Sequence, residues 1–314
     1  MNHTIAAALA GVLLCAAQAG AAPFAYVPNE KSGTLSVIDT ETDTVVRSIP
    51  AGEKPRGLAP SADGKRIYVS DQPKNALAVV DLEAGKVSDL IDLGESPEGV
   101  SISPDGRYVA AAVEVSNSVV FVNTTTGTRE FSIKVKGKNP EHAVFSPDGK
   151  SMAASAEEAD QVDVIDVATR KQVAQIQVGS RPRGMAFTPD GRLMYVACEL
   201  ANTTYAIDWQ ARKVIAKIAT GNYSNGVTMH PDGKRVYVSN GKDATVSVID
   251  VATNTVMATV PVGKRPWNMA ITPDGRKLYV ANGRSNSVSV IDTQSNQKLK
   301  DIAVGEMPWG VVIR

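Results

Sequence analysis

The sequence predicts an all-β fold, a seven-bladed β-propeller, and three observations carry that prediction. The aspartate of an Asp-Gly turn recurs at Asp63, Asp105, Asp148, Asp190, Asp232 and Asp274, at steps of 42, 43, 42, 42 and 42 residues. A glycine ends each unit, at Gly52, Gly94, Gly137, Gly179, Gly221, Gly263 and Gly305. Between these marks lie short runs of β-branched and aromatic residues separated by turn residues. A four-stranded antiparallel unit of about 40 residues, repeated, cannot bury both of its faces alone and reaches stability by packing in a ring.

Residues 263–304 show the unit element by element. Asn268 to Ile271 form the first strand. Pro273 presets the entry to a tight turn, and Gly275 supplies its positive φ. Lys277 to Val280 form the second strand, and a polar loop follows through Asn286. Val288-Ser289-Val290-Ile291 alternates apolar and small residues, as a half-buried strand does. Asp292 starts a turn by bonding its own backbone. Lys300 to Val304 close the unit.

The first strands explain the ring. Leu58, Val100, Ala143, Met185, Val227, Met269 and Val311 hold one position, with Pro60, Ile102, Phe145, Phe187, Met229, Ile271 and Ile313 two residues on. The position between them is mostly small, which suits sheets wedged side by side near an axis. The three methionines read as core filler.

In chain order, residues 1–22 carry no Lys, Arg, Asp or Glu, and Ile5 to Ala17 is apolar. This is read as a secretory signal peptide, with residues 23–314 as a single domain. A membrane anchor would need a longer apolar run, about 20 residues. Leu14 is too large for the usual lipobox before Cys15. The first unit begins at its second strand, Tyr26-Val27-Pro28-Asn29, and the chain ends on a first strand, so residues 308–313 should pair with residues 24–29 and close the ring. Blades 3 and 4 drift from the pattern: Ala110-Ala111-Ala112 and Ala153-Ala154 stand where larger residues are usual, and blade 3 carries one extra residue between Asn123 and Gly137. Blade 5 has Cys198 where Asn or Asp is usual, read as either a buried small residue or a reactive thiol.

Composition excludes several functions. Lys and Arg number 33 against 33 Asp and Glu, which argues against a nucleic-acid binder. One cysteine after residue 22 allows no intramolecular disulfide. No Cys-x-x-Cys-His for covalent haem, EF-hand loop or Gly-rich phosphate loop occurs, and no cofactor or metal is predicted.

The recurring Tyr-Val-x-Asn at 26–29, 237–240 and 279–282, Val-x-Val-Ile-Asp at 246–250 and 288–292, and Pro-Asp-Gly resemble the YVTN-type β-propeller repeat family, over residues 24–314. The resemblance implies the ring fold. It is compatible with secreted or surface repeat proteins, with accessories of periplasmic redox or quinoprotein systems, and, more distantly, with lyases and lactonases.

Function should sit on the face opposite the Asp-Gly turns, where the units disagree most. The axial position there, after the repeated Pro, reads Arg56, Glu98, Glu141, Arg183, Asn225, Trp267 and Trp309. The next residue is Gly in five blades and becomes His142 and Asn268 in two. These nine residues are the predicted binding site, with the tryptophans for stacking and the arginines for an acidic group. The competing reading has Arg56–Glu98 and Glu141–Arg183 as salt bridges between neighbouring blades and the Trp rings as a plug. Loops at Glu114, Glu157, Glu158, Asp160 and Glu199 make one half of this face acidic, and Lys31, Lys242, Lys264, Arg265 and Arg284 make the other half basic.

The expected function is that of a periplasmic or secreted, monomeric binding module. Its partner would be a small anionic or ring-containing ligand or a periplasmic protein, with no nucleic acid and no membrane insertion after signal cleavage. The alternative is a lyase or hydrolase with His142 as acid or base and Glu141 or Glu98 as its partner. A metal held by His142 with Glu141 or Glu98 is a further alternative. His230, which replaces the usual Ser or Thr before the Asp-Gly turn, is expected to face solvent.

Overall fold

The computed structural model describes residues 23–314; the signal-peptide reading falls on residues 1–22 and lies outside them. Seven four-stranded antiparallel sheets form a closed ring. Blades 2 to 7 begin at Pro55, Pro97, Pro140, Pro182, Ser224 and Pro266 and run first to fourth strand. Blade 1 is composite: Val312–Ile313 lies beside Phe24–Asn29, followed by Thr34–Asp39 and Thr44–Pro50. Ala25 pairs with Ile313 and Tyr26 with Val312, and Asn29 bridges to Pro308. The ends of the ring therefore meet inside one sheet and leave no open ladder at the axis.

The core is a set of seven apolar clusters, each shared by two neighbouring blades. Between blades 3 and 4 the small residues are offset by aromatics. Phe121 stacks on Phe131 with centroids 4.4 Å apart, and Tyr108 and Phe145 meet the pair edge-on. At this interface the drift is thus a volume exchange within one cluster, with Ala110, Ala112, Ala143 and Ala154 making room for Phe121, Phe131 and Phe145.

The repeat signatures have structural causes. Asn282 closes its strand by donating to Ser287 Oγ at 3.2 Å and Ser289 Oγ at 2.9 Å, and Asn240 and Asn29 make the matching pairs in blades 6 and 1. The unit-ending glycine lies against that amide: a Cβ at Gly263 would come 2.6 Å from Asn282. Before each Asp-Gly turn a Ser or Thr hydroxyl donates to the turn aspartate, as Thr272 does to Asp274 at 2.6 Å.

His230 does this job in blade 6, which corrects the expectation of a solvent-facing ring. It is 8% exposed, with Nδ1 2.8 Å from Asp232 and Nε2 3.1 Å from the Gly275 carbonyl of the next blade. An imidazole reaches further than a hydroxyl, so it bonds both its own turn and its neighbour's.

Cys198 is fully buried, and burial pushes its thiol up to about 12, so it is the small core residue and not the reactive thiol. It should stay unmodified by a thiol reagent in the native protein and react fully once unfolded in guanidinium. Reaction in the native state would contradict this placement. Asn282→Ala should lower the unfolding free energy in urea by about 2 kcal/mol, because it strands buried hydroxyls and opens space against Gly263.

Candidate functional site

The axial residues are placed by a β-bulge. In blade 2, Pro55 pairs with Asp71 and Leu58 with Val69, so Arg56 and Gly57 together oppose Ser70. The same shift follows the first residue of each first strand in blades 3 to 7. In blade 4 only Glu141 is extra, between Pro140↔Ala156 and His142↔Ser155. A bulge takes a residue out of the ladder and re-aims its side chain. A serine on the second strand satisfies the displaced amide: Gly57 N donates to Ser70 Oγ at 2.9 Å, Gly226 N to Ser239 at 2.8 Å and His142 N to Ser155 at 3.1 Å. Glycine beside the axis is forced by contact, since a Cβ at Gly57 would lie 2.3 Å from the Glu98 carbonyl.

The seven axial residues line one cavity of about 310 Å³, with Gln72, Glu114, Asn139, Glu157, Arg181 and Arg265 joining them from the loops. Asn139 holds the position before the repeated Pro that Arg181 and Arg265 hold in their own blades. Asn139, Arg181 and Arg265 hold left-handed backbones, with φ of 59°, 62° and 55°. The same backbone recurs at Ser96, Tyr223 and Met307, so it belongs to the repeat, and residue type decides which of these side chains reach the cavity. Trp267 lies on Gly283, where a Cβ would meet ring atoms at 2.8 Å.

Charge in the mouth is organised in two networks. In one, Arg56 pairs with Glu98 and, at 3.3 Å, with Glu30. Gln72 links Glu98 to Ser96, and Ser96 donates to Glu114 at 2.6 Å. In the other, Arg183 meets Glu141 at 2.5 Å, Glu199 at 3.0 Å and Glu157 at 3.4 Å. Arg181 adds to Glu157 and Glu199, and Arg265 pairs with Glu199 at 2.6 Å. Both inter-blade salt bridges of the competing reading therefore exist. The acidic half of the face is largely answered by Arg181, Arg183 and Arg265, of which the sequence reading gives Arg183 to a ligand and Arg265 to the basic half.

His142 and Asn268 are not among the residues lining the cavity. The His142 ring stacks on Trp309, centroids 5.5 Å apart and 17° between planes, and both ring nitrogens are shut from solvent without a hydrogen-bond partner. Trp309 is 8% exposed, so it lies deep in the mouth while Trp267 stays partly open. Sequence reasoning missed Gln72, Asn139 and Arg181 as lining residues. Their signal was available: all three lie in the loops between strands two and three or between units, which reach this same end.

Burial raises Glu98 to about 9, helped by the nearby Glu141 charge and opposed by Arg56. Burial also raises Glu157 to about 7, against Arg183, and raises Glu114. Burial pushes Glu141 up most strongly, but Arg183, His142, Arg56 and a bond to Glu157 together outweigh it and hold Glu141 below the ordinary range. Burial keeps His142 neutral by lowering it. The mouth thus separates carboxyls that hold protons from one that does not.

A larger cleft of about 600 Å³ lies at the other end, between blades 3 and 4. There Arg170 covers the Phe131 ring at 3.9 Å and pairs with Glu130 at 3.1 Å. The mouth is the better site because it gathers the residues in which the repeats differ.

Comparison with known proteins agrees with this architecture. Residues 134–306 match the family model described as lactonase, seven-bladed β-propeller, and the chain belongs to that family. Residues 9–104 match a YNCE-like β-propeller model. No curated protein sequence matches. Among solved structures, hydrazine synthase of Kuenenia stuttgartiensis is similar at 25% identity, covering 85% of this chain and 92% of that one, with a TM-score of 0.79. Two proteins described as candidate 6-phosphogluconolactonases, from Bacteroides uniformis and Bacteroides fragilis, each share 22% identity. They cover 93% of this chain and 100% and 98% of their own, with TM-scores of 0.78 and 0.76. At that identity the last two show the fold alone.

The raised carboxyls set a pH dependence. A carboxyl whose folded value lies above its unfolded one contributes stability at low pH and loses it as pH rises through the folded value. Glu157 and Glu98 place that loss between the ordinary 4.5 and about 7 and 9. The thermal midpoint should fall steadily from pH ~5 to ~9, and Glu98→Gln should flatten the fall. A midpoint that rises over this interval would contradict the burial argument.

Proposed function

We propose that the protein is a binding module that takes a small, hydroxylated ring compound, a sugar acid or its lactone, in the axial mouth. The observation that carries this is the pairing of the arginines. With Arg56 and Arg183 already held by glutamates, the mouth offers carboxylate acceptors beside a partly open indole. Such a surface suits a donor-rich ring stacked on Trp267 better than a bare anion. The cavity volume fits one ring of that size. The family name and the lactonase descriptions of the two Bacteroides structures support the same substrate class.

A second reading, hydrolysis of the lactone, is favoured by the family and by one contact. Arg183 stands beside Glu157, so a guanidinium could hold a ring carbonyl while a carboxylate activates water. His142 does not line the cavity, so the acid–base role proposed for it from sequence would require Trp309 to move. An extracytoplasmic location, with service to a periplasmic redox or quinoprotein system, remains the setting implied by the repeat resemblance and by residues 1–22.

Residues 23–314 should be titrated with a panel of aldonic acids and aldonolactones while the thermal midpoint is followed. A ligand at a hundred times its Kd stabilises by about 2.7 kcal/mol. The expected result is a shift that disappears in Trp267→Ala. A shift that survives Trp267→Ala, or none with any compound, overturns the site. Ring opening lost in Arg183→Lys would favour the enzyme reading. N-terminal sequencing of the exported protein tests cleavage near residue 22.

A further inference from the structure

We propose that the junction of the two charge networks, between Glu114, Glu141 and Glu157, is a site for a hard divalent cation of the calcium or manganese class. One carboxylate oxygen of each residue lies within 4.8 Å of the other two. Glu114 and Glu157 come from the loops between the second and third strands of blades 3 and 4, and Glu141 from the bulge of blade 4. Acidic clusters are common on surfaces, and two further observations distinguish this one.

The first is a buried oxygen without a partner. Glu98 is 1% exposed and lines the same mouth; its Oε1 accepts from Arg56 and Gln72, while Oε2 has no donor. A carboxyl oxygen held dry with no partner, protonated or not, is costly. A cation in the adjacent cluster would supply the missing positive field.

The second is the charge count. The linked groups comprise six glutamates (30, 98, 114, 141, 157 and 199) and four arginines (56, 181, 183 and 265). Ionised together, these groups would leave two negative charges over, which one dication matches in place of the protons that the metal-free mouth holds.

The donors also fit the class of ion. They are all oxygens, which suits calcium, magnesium or manganese and not zinc or copper. Arg183 holds Glu141 through Oε1 and leaves Oε2, and Ser96 holds Glu114 through Oε2 and leaves Oε1. Glu157 is gripped at both oxygens, by Arg181 and Arg183. It must release one guanidinium, and Arg181, whose side chain is 38% exposed against 13% for Arg183, is the one free to leave. This site differs from the His142-centred one weighed from sequence, because the His142 nitrogens are stacked away beneath Trp309.

Metal-free protein should be titrated by calorimetry with calcium chloride, and separately with manganese chloride, in the absence of any organic ligand. This proposal and the ring-compound proposal can therefore fail separately. The expected result is one site per chain, weakened by about tenfold or more in Glu114→Gln and unchanged in Glu158→Gln, an exposed neighbour. Gln keeps the Ser96 bond, and a metal-free urea curve confirms that the variant folds. If it does not, Glu98→Gln serves as the second variant and should weaken binding as well. No binding of either ion, or equal loss in Glu158→Gln, overturns the proposal.

Discussion

Contact between backbones at the axis governs the rest of this structure. First strands of adjacent blades approach until a glycine is required: a Cβ at Gly184 would stand 2.6 Å from the Asn225 carbonyl, and one at Gly226 2.4 Å from that of Trp267. This closeness lets seven narrow sheets bury both faces against their neighbours, and it leaves the core as seven shared clusters. It also leaves no room for a regular ladder at the inner ends of the strands. The bulge that relieves the crowding is the device that turns Arg56, Glu141 and their counterparts into the mouth.

Once turned inward, these side chains answer each other before they answer a ligand. A guanidinium brought out of water needs a carboxylate with good geometry, and each axial arginine finds one on a neighbouring blade. The pairs couple blades 2 with 3 and 4 with 5. What remains exposed to a ligand is the surplus: carboxylate oxygens, the amides of Gln72, Asn139 and Asn225, and one face of Trp267.

The fold was legible because its determinants are local and repeated. Asp274 and its copies mark turns, Asn282 and Gly263 mark a packed corner, and Phe24 to Asn29 lacks a partner strand until residue 313 supplies one. The identity of the axial ring was legible for the same reason. Its electrostatics were legible only in part, as the alternative pairing of Arg56 with Glu98 and Glu141 with Arg183. Whether Arg183 serves a ligand or three glutamates depends on distances across blades that no spacing in the chain encodes. His230 shows the same limit. Its substitution for serine looked like surface drift, yet the ring fills a gap against Gly275 of the next blade. His142 was chosen by chemistry as the only histidine near the axis, and packing against Trp309 took its nitrogens out of reach.

The bulge has one more consequence. Each axial residue stands outside the pairing register, with its amide or its neighbour's cared for by a serine of the second strand. Exchanging that residue therefore disturbs neither strand pairing nor the apolar clusters. Asn225 and Trp267, outside the salt bridges, become rewritable one at a time, while Arg56 with Glu98 and Glu141 with Arg183 change as pairs, like tumblers in a lock whose casing never changes. A lineage built on this ring can drift from one recognition specificity to another through single or paired substitutions, each passing through a folded intermediate.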